Sequence, residues 1–172
     1  MEYPKAVAQV LLVNANWGSL FSGRVRRYNR RFPPLDLLNC ASLLREAGHT
    51  VELMDCRAEP TLRDTVLKTK ADLLILSLSP LDRWQCPNTD LEQLDRFIDG
   101  MPMNRTIVYG AQVTSKPLTL LRRTGAAGAI LGEPESSVVS LAAGACPGDI
   151  PGTARISSDG CLIGGERGPD IA

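Results

Sequence analysis

Short apolar runs recur along the chain, each long enough for one strand, and the stretches between them carry apolar residues at helical spacing. QVLLVN (Gln9–Asn14) is not interrupted by charge, which predicts a central strand buried on both faces. In LDLLNCASLLREAGH, Leu37, Leu38, Ala41 and Leu44 fall at i, i+1, i+4 and i+7, and Gly48 supplies the stop, so a helix is predicted there. TVELMD (Thr50–Asp55) alternates apolar with polar, as a half-exposed edge strand does. Residues 61–70 read as the next helix and LLILSL (residues 73–78) as the second fully buried strand. After a long loop, a helix is expected near residues 90–99, with Leu91, Leu94 and Ile98 facing the core. TIVY (Thr106–Tyr109), a short helix at Pro117–Thr124, AGAIL (residues 127–131) and a last helix from Pro134 covering Val138, Val139 and Leu141 complete the series.

Strand and helix patterns in alternation are the mark of βα units around a parallel sheet. The expected class is therefore α/β: a Rossmann-like, doubly wound, five-stranded parallel sheet of flavodoxin-like order 2-1-3-4-5 with a C-terminal β-hairpin extension. From Gly144 the texture changes to Gly148, Pro151, Gly152, Gly160, Gly164, Gly165, Gly168 and Pro169, with one hairpin possible between TARIS and CLIGG about Asp159 and Gly160. Residues 1–145 thus read as the α/β domain, and residues 146–172 as hairpin and linker leading out of it.

Composition acts by exclusion. The chain's 172 residues suit one main domain, and 19 basic residues balance 19 acidic ones, so no long-range field draws it to nucleic acid or an anionic membrane. No apolar run approaches the roughly 20 residues of a membrane helix, and the start lacks a basic region followed by a cleavage site, so a cytoplasmic protein is expected. Cys40, Cys56, Cys86, Cys146 and Cys161 are odd in number and without C-x-x-C spacing, which argues for buried or incidental thiols rather than a disulfide framework or zinc ribbon.

In an open parallel sheet ligands bind beyond the carboxyl ends of the strands, where the winding reverses. Those ends are residues 14–18, 55–57, 77–80, 110–114 and 132–135, and the central ones are rich in small residues that let a bulky ligand approach the backbone. Any one of the glycines serves equally well to turn the chain into a helix. No G-x-G-x-x-G follows the first strand and no G-x-x-x-x-G-K-S/T occurs, which demotes dehydrogenase and P-loop readings. A receiver domain needs an acidic cluster and a phosphorylatable Asp where this chain has Asn14 and Ser77. An unrelated small-molecule or nucleotide-binding domain of the same topology remains open on fold grounds.

Taken together, LLVNANW, PPLDLLNCASLLREAGHTVELMDC, ADLLILSLSP, TIVYGAQVT and AGAILGEPESSVVSLAAG resemble, in order and spacing, the cobalamin-binding domain that precedes the catalytic barrel in cobalamin-dependent radical SAM enzymes of the class B methyltransferase type. The resemblance covers roughly residues 8–164, and GTARISSDGCLIGGERGPDI is similar to the hairpin those proteins place before their catalytic domain. It implies a corrin over the strand ends and a nucleotide tail between sheet and helices, with Ser77, Ser79, Gly110, Ala111, Gly132 and Glu133 as cofactor contacts. Asn14, Trp17, Gly18, Leu20 and Pro80 complete the implied cofactor-binding set, and Trp17, Leu20 and Phe21 would offer the ring an apolar surface. The nearby Arg24, Arg26, Arg27, Arg30 and Arg31 read as a solvated loop, a domain-contact surface, or a phosphate or carboxylate site.

Two departures qualify what the resemblance implies. The Asp-x-His-x-x-Gly motif that ligates cobalt in the methionine-synthase type is absent, residues 14–19 reading NANWGS, and the single histidine, His49, falls in a turn expected at the far end of the sheet. The implied cofactor is base-off cobalamin with no protein histidine ligand, and no residue is expected to bind metal. No C-x-x-x-C-x-x-C occurs either, so SAM and an iron–sulfur cluster belong only to an absent partner domain. The chain is not expected to be catalytic alone: it would carry a methyl group for a radical SAM catalytic domain, truncated here in cis or supplied in trans. The alternative is a degenerate domain serving as scaffold or lid for such a partner without binding the cofactor.

Overall fold

A strand with no polar face has none to turn to water, and such strands occupy the middle of the sheet. In the computed structural model, which describes residues 7–15, 33–78 and 91–165, one sheet is formed by β1 (Gln9–Asn14), β2 (Thr50–Asp55), β3 (Leu73–Ser77), β4 (Thr106–Tyr109), β5 (Gly128–Ile130), β6 (Thr153–Ile156) and β7 (Leu162–Gly164). Their order is β2-β1-β3-β4-β5-β6-β7. The first five pair in parallel, β6 pairs antiparallel with β5, and β7 pairs antiparallel with β6. The alternating β2 lies at one edge, with Thr50 and Glu52 exposed.

The sheet therefore has seven strands where five were expected, and the hairpin is not an appendage. Its first strand continues the sheet, with Ala129 opposite Ala154 and Ile130 opposite Thr153. Ala154 and Thr153 are fully buried. Glycine makes this closure possible: a Cβ on Gly164 would stand 2.3 Å from the Thr153 carbonyl oxygen, and one on Gly128 would stand 2.5 Å from the Pro147 side chain.

Helices cover both faces. On one, α1 (Leu35–Glu46) and α6 (Val138–Ala142) pack Leu37, Cys40, Ala41, Leu44, Val138 and Leu141 against Val10, Leu12, Ile75, Ile107, Tyr109 and Ile130. On the other, α2 (Leu62–Leu67), α3 (Leu91–Ile98) and α5 (Pro117–Thr124) pack Val66, Leu94, Ile98 and Leu121 against Leu11, Val13, Leu74, Leu76 and Val108. Successive residues of β1 and β3 alternate between the two layers, as the period of a strand requires.

Two local readings change. A short helix, α4 (Ala111–Ser115), stands at the strand-end segment 110–114, for which no element was expected, because five residues with one buried apolar side chain, Val113, show no periodicity. The last helix is divided into a 3-10 turn, Pro134–Ser136, and α6, with Ser137 between them at φ −127°. Phe97, beside the expected Leu94 and Ile98, is a further buried residue of α3. The Arg63 guanidinium of α2 closes α3 at its carboxyl end, donating to the carbonyls of Phe97 at 2.9 Å, Arg96 at 3.0 Å and Asp99 at 2.7 Å.

Of the cysteines described, Cys40 and Cys56 are buried and Cys146 and Cys161 exposed. Burial pushes the Cys40 thiol up to about 12, helped by Glu135 and Asp36, and the Cys56 thiol up to about 11, helped by Asp55. In the folded protein at about pH 8, a thiol reagent followed by peptide mass mapping should modify Cys146 and Cys161 and spare Cys40 and Cys56 until denaturant is added. Ile75, fully buried in the middle of the sheet, should lose about 2–5 kcal/mol on Ile75→Ala in urea unfolding. Leu38→Ala, at a position 45% exposed, should cost no more than ~0.5 kcal/mol.

Candidate functional site

The crossover from β1 to β2 runs through α1 on one face, and that from β3 to β4 through α3 on the other, so the winding reverses between β1 and β3. The crevice above their carboxyl ends is where a ligand has room between diverging connections. The residues there form a row: Asp55 of β2 is in register with Asn14 of β1, Asn14 with Ser77 of β3, and Ser77 with Tyr109 of β4. Strand alternation puts all four on the α1 face, because Leu53, Leu12, Ile75 and Ile107, two residues earlier in each strand, belong to that layer. A polar row thus closes an otherwise apolar layer at its ligand end.

The members of this row differ in what they have left to offer. Asn14 donates from Nδ2 to Asp55 Oδ1 at 2.9 Å, and the same oxygen accepts from the backbone N–H groups of Arg57 and Ala58 at 3.1 and 3.2 Å. Asn14 and Asp55 therefore brace β1 to β2 and hold the turn after β2. Tyr109 is 2% exposed, and its hydroxyl donates to Asp36 in the first turn of α1. The Ser77 hydroxyl lies within hydrogen-bonding reach of the same phenol oxygen. Burial first, and then the Asp36 charge, drives the Tyr109 ionisation far above its ordinary range, so the phenol is a neutral donor.

Around Tyr109 several acceptors are unmet. Among the described residues, Asp36 Oδ1, Glu135 Oε2 and Ser137 Oγ are buried with no hydrogen-bond partner. Glu135 uses its other oxygen to accept from Asn39 Nδ2 at 3.4 Å. The charges of Glu135, Asp36 and Glu133 each push the Cys40 thiol up, after burial. Among the described residues, no basic side chain pairs with Asp36 or Glu135. Buried polar atoms without partners are uncommon in folded proteins, and several together mark a place equipped to receive hydrogen-bond donors.

The other half of the crevice is backbone. Gly110 follows β4 at φ +132°, a conformation that L side chains rarely adopt. Thr114 Oγ1 donates to the Gly110 carbonyl at 3.2 Å and accepts from the Gly132 N–H at 3.0 Å, tying the end of β4 to the end of β5. Gly132 is exposed at φ +103°, and nothing lies within 4 Å of where a Cβ would stand, so its backbone is open to approach.

The expected site residues separate accordingly. Asn14, Ser77 and Gly110 lie buried at the carboxyl ends, and Ala111, Gly132 and Glu133 are exposed on the rim. Trp17, Gly18, Leu20, Ser79 and Pro80 lie outside the described residues, as do Phe21 and the arginines Arg24, Arg26, Arg27, Arg30 and Arg31. His49 lies at the opposite, amino-terminal edge, where its Nδ1 accepts from the Ala8 N–H at 3.2 Å. The sequence pattern did not mark Asp36, Tyr109 and Ser137, while Thr114 and Glu135 fall within the expected strand-end segments 110–114 and 132–135 without being singled out. Among the described residues, no group of three His, Cys, Asp or Glu side chains is placed to hold a metal ion. A groove of about 310 Å³, lined in part by Thr50, Glu52, Met54, Thr65, Lys68 and Ala71, lies on the α2 side away from the polar row.

No protein-family model and no curated protein matches this sequence. Among solved structures, the radical S-adenosylmethionine methyltransferase TsrM from Kitasatospora setae, with cobalamin and a 4Fe–4S cluster bound, is similar at a TM-score of 0.70 and 18% identity, over 94% of this chain and 29% of TsrM. The cobalamin-dependent S-adenosylmethionine radical enzyme OxsB, with aqua-cobalamin and S-adenosylmethionine bound, is similar at 0.69 and 15%, over 95% of this chain and 22% of OxsB. Apo OxsB gives a TM-score of 0.64 over the same shares. The chain spans less than a third of these enzymes, and it adopts the fold of a segment of each.

Proposed function

We propose that this chain is a cobalamin-binding carrier domain of a radical SAM methyltransferase-type enzyme. The observation that carries the reading is the polar row at the switch point, with its unmet acceptors, beneath an open glycine rim. What the crevice presents suits the cofactor. Corrin side chains are primary carboxamides, and the nucleotide tail carries hydroxyls and a phosphate. Buried carboxyl oxygens accept from such donors, and hydroxyls and backbone N–H groups at strand ends serve the acceptors. The open backbone at Gly132 lets a large flat ligand lie close.

When bound, methylated cobalamin supplies a transferable methyl group. The chain's own part is to bind, orient and shield. Ser77, Gly110, Ala111, Gly132 and Glu133 hold the cofactor at the strand ends, and Asn14 keeps β1 and β2 in register beneath it. Trp17, Gly18, Leu20, Ser79 and Pro80 complete the contacts. His49 lies at the far edge of the sheet, away from the crevice, and the cofactor we propose is base-off cobalamin without a protein histidine ligand. Residues 1–145 form the binding unit, and the hairpin within residues 146–172 extends the sheet toward a catalytic domain that provides SAM and the iron–sulfur cluster, in cis or in trans. No helix among the described residues is long and apolar enough to cross a membrane, and the proposed place of action is the cytoplasm.

Mixing the protein with hydroxocobalamin and desalting should leave a coloured protein with a base-off spectrum, unchanged in His49→Ala. Ser77→Phe, which fills the crevice floor, should weaken retention about tenfold or more, ~1.4 kcal/mol. A folded but colourless wild-type protein would remove the carrier role and favour a scaffold or lid that never binds the cofactor.

A further inference from the structure

We propose that Tyr109 is a latch: without ligand its ring fills the slot between α1 and the ends of β3 and β4, held by its hydrogen bond to Asp36, and the nucleotide tail must displace it to enter. The inference rests on the corrinoid reading and adds a device that controls entry to the same site. Tyr109 is the last residue of β4 and 2% exposed. It belongs to the apolar layer that α1 and α6 form with the sheet, where an aliphatic side chain or phenylalanine would suffice for packing alone. Its hydroxyl instead ties the end of a central strand to the first turn of the helix covering it.

The unmet acceptors show what this closed arrangement lacks. Among the described residues, Asp36 Oδ1, Glu135 Oε2 and Ser137 Oγ are buried without partners, and they sit on α1 and on the turn into α6, two elements packed on each other. Closed, the layer leaves all three unsatisfied. Opened around the hydroxyls of the nucleotide tail, it gains donors for them, and Asp36 exchanges the phenol for a ligand hydroxyl. The tyrosine ring is a flat aromatic of the same thickness as the base at the end of a nucleotide tail, so its departure vacates a slot of the right kind. The corrin macrocycle is too broad for that slot. Only the tail meets the latch, and a corrinoid without a tail does not.

The test is the association kinetics of the full chain with hydroxocobalamin and with cobinamide, the corrinoid lacking the nucleotide, followed by absorbance. Wild type, Tyr109→Phe and Tyr109→Ala are compared, with far-UV circular dichroism and thermal unfolding to establish folding. Tyr109→Phe should bind hydroxocobalamin about tenfold faster, Tyr109→Ala faster and also tighter, and cobinamide rates should stay within about twofold of wild type. If Tyr109→Ala fails to fold, Tyr109→Phe, which keeps the ring, decides. Equal hydroxocobalamin rates in wild type and variants, or equal acceleration of both corrinoids, would overturn the latch while leaving corrinoid binding standing. If no folded form binds either corrinoid, the carrier reading falls and the latch falls with it.

Discussion

The central strands of this domain must be buried on both faces, and the rest of the structure follows from that requirement. β1 and β3 carry apolar side chains toward both layers, so neither layer can be left to water. Helices then have to cover the sheet on both sides, and α1 and α3 do so from opposite faces. That division makes the winding reverse between β1 and β3 and opens the crevice above them. The site is a consequence of how the core is covered, and the polar row is the place where the core ends.

The row has two functions along its length. On the β2 side, Asn14 Nδ2 and Asp55 Oδ1 bond each other and hold the following turn. On the β4 side, Tyr109, Ser77 and Asp36 are linked, but Asp36, Glu135 and Ser137 each keep an atom unpaired. Structural bracing on β2 and β1 thus lies directly beside ligand readiness on β3 and β4. Thr114 plays the bracing part on the far side, linking Gly110 to Gly132 and fixing the spacing of the two backbone segments that form the rim.

Much of the fold was legible because it rests on local periodicity. The bounds of β1, β2, β4 and α5 coincide with what their apolar patterns predict, since each run is bounded by a glycine, proline or polar residue. The continuation of the sheet through β6 was not legible, because the contact of Ala154 with Ala129 joins residues distant in sequence. α4 is too short to show a period. The rim of the site was readable from its small residues. Its chemistry was not: Asp36 reads as an ordinary first-turn acid and Tyr109 as the apolar end of a strand. Only the hydrogen bond from Tyr109 to the first turn of α1 brings the two together, with Glu135 placed by a turn that the sequence pattern merges into α6.

The central claim is that a corrinoid occupies the carboxyl ends of the parallel strands on the α1 face. Amide hydrogen exchange with and without hydroxocobalamin tests it most directly, because exchange reports protection segment by segment. Slowed exchange in the first turn of α1, at residues 110–114 and at residues 132–135, with no change around His49 at the amino-terminal edge, is the expected result. Protection confined to that amino-terminal edge, or to the groove beside Thr50 and Lys68, would contradict it.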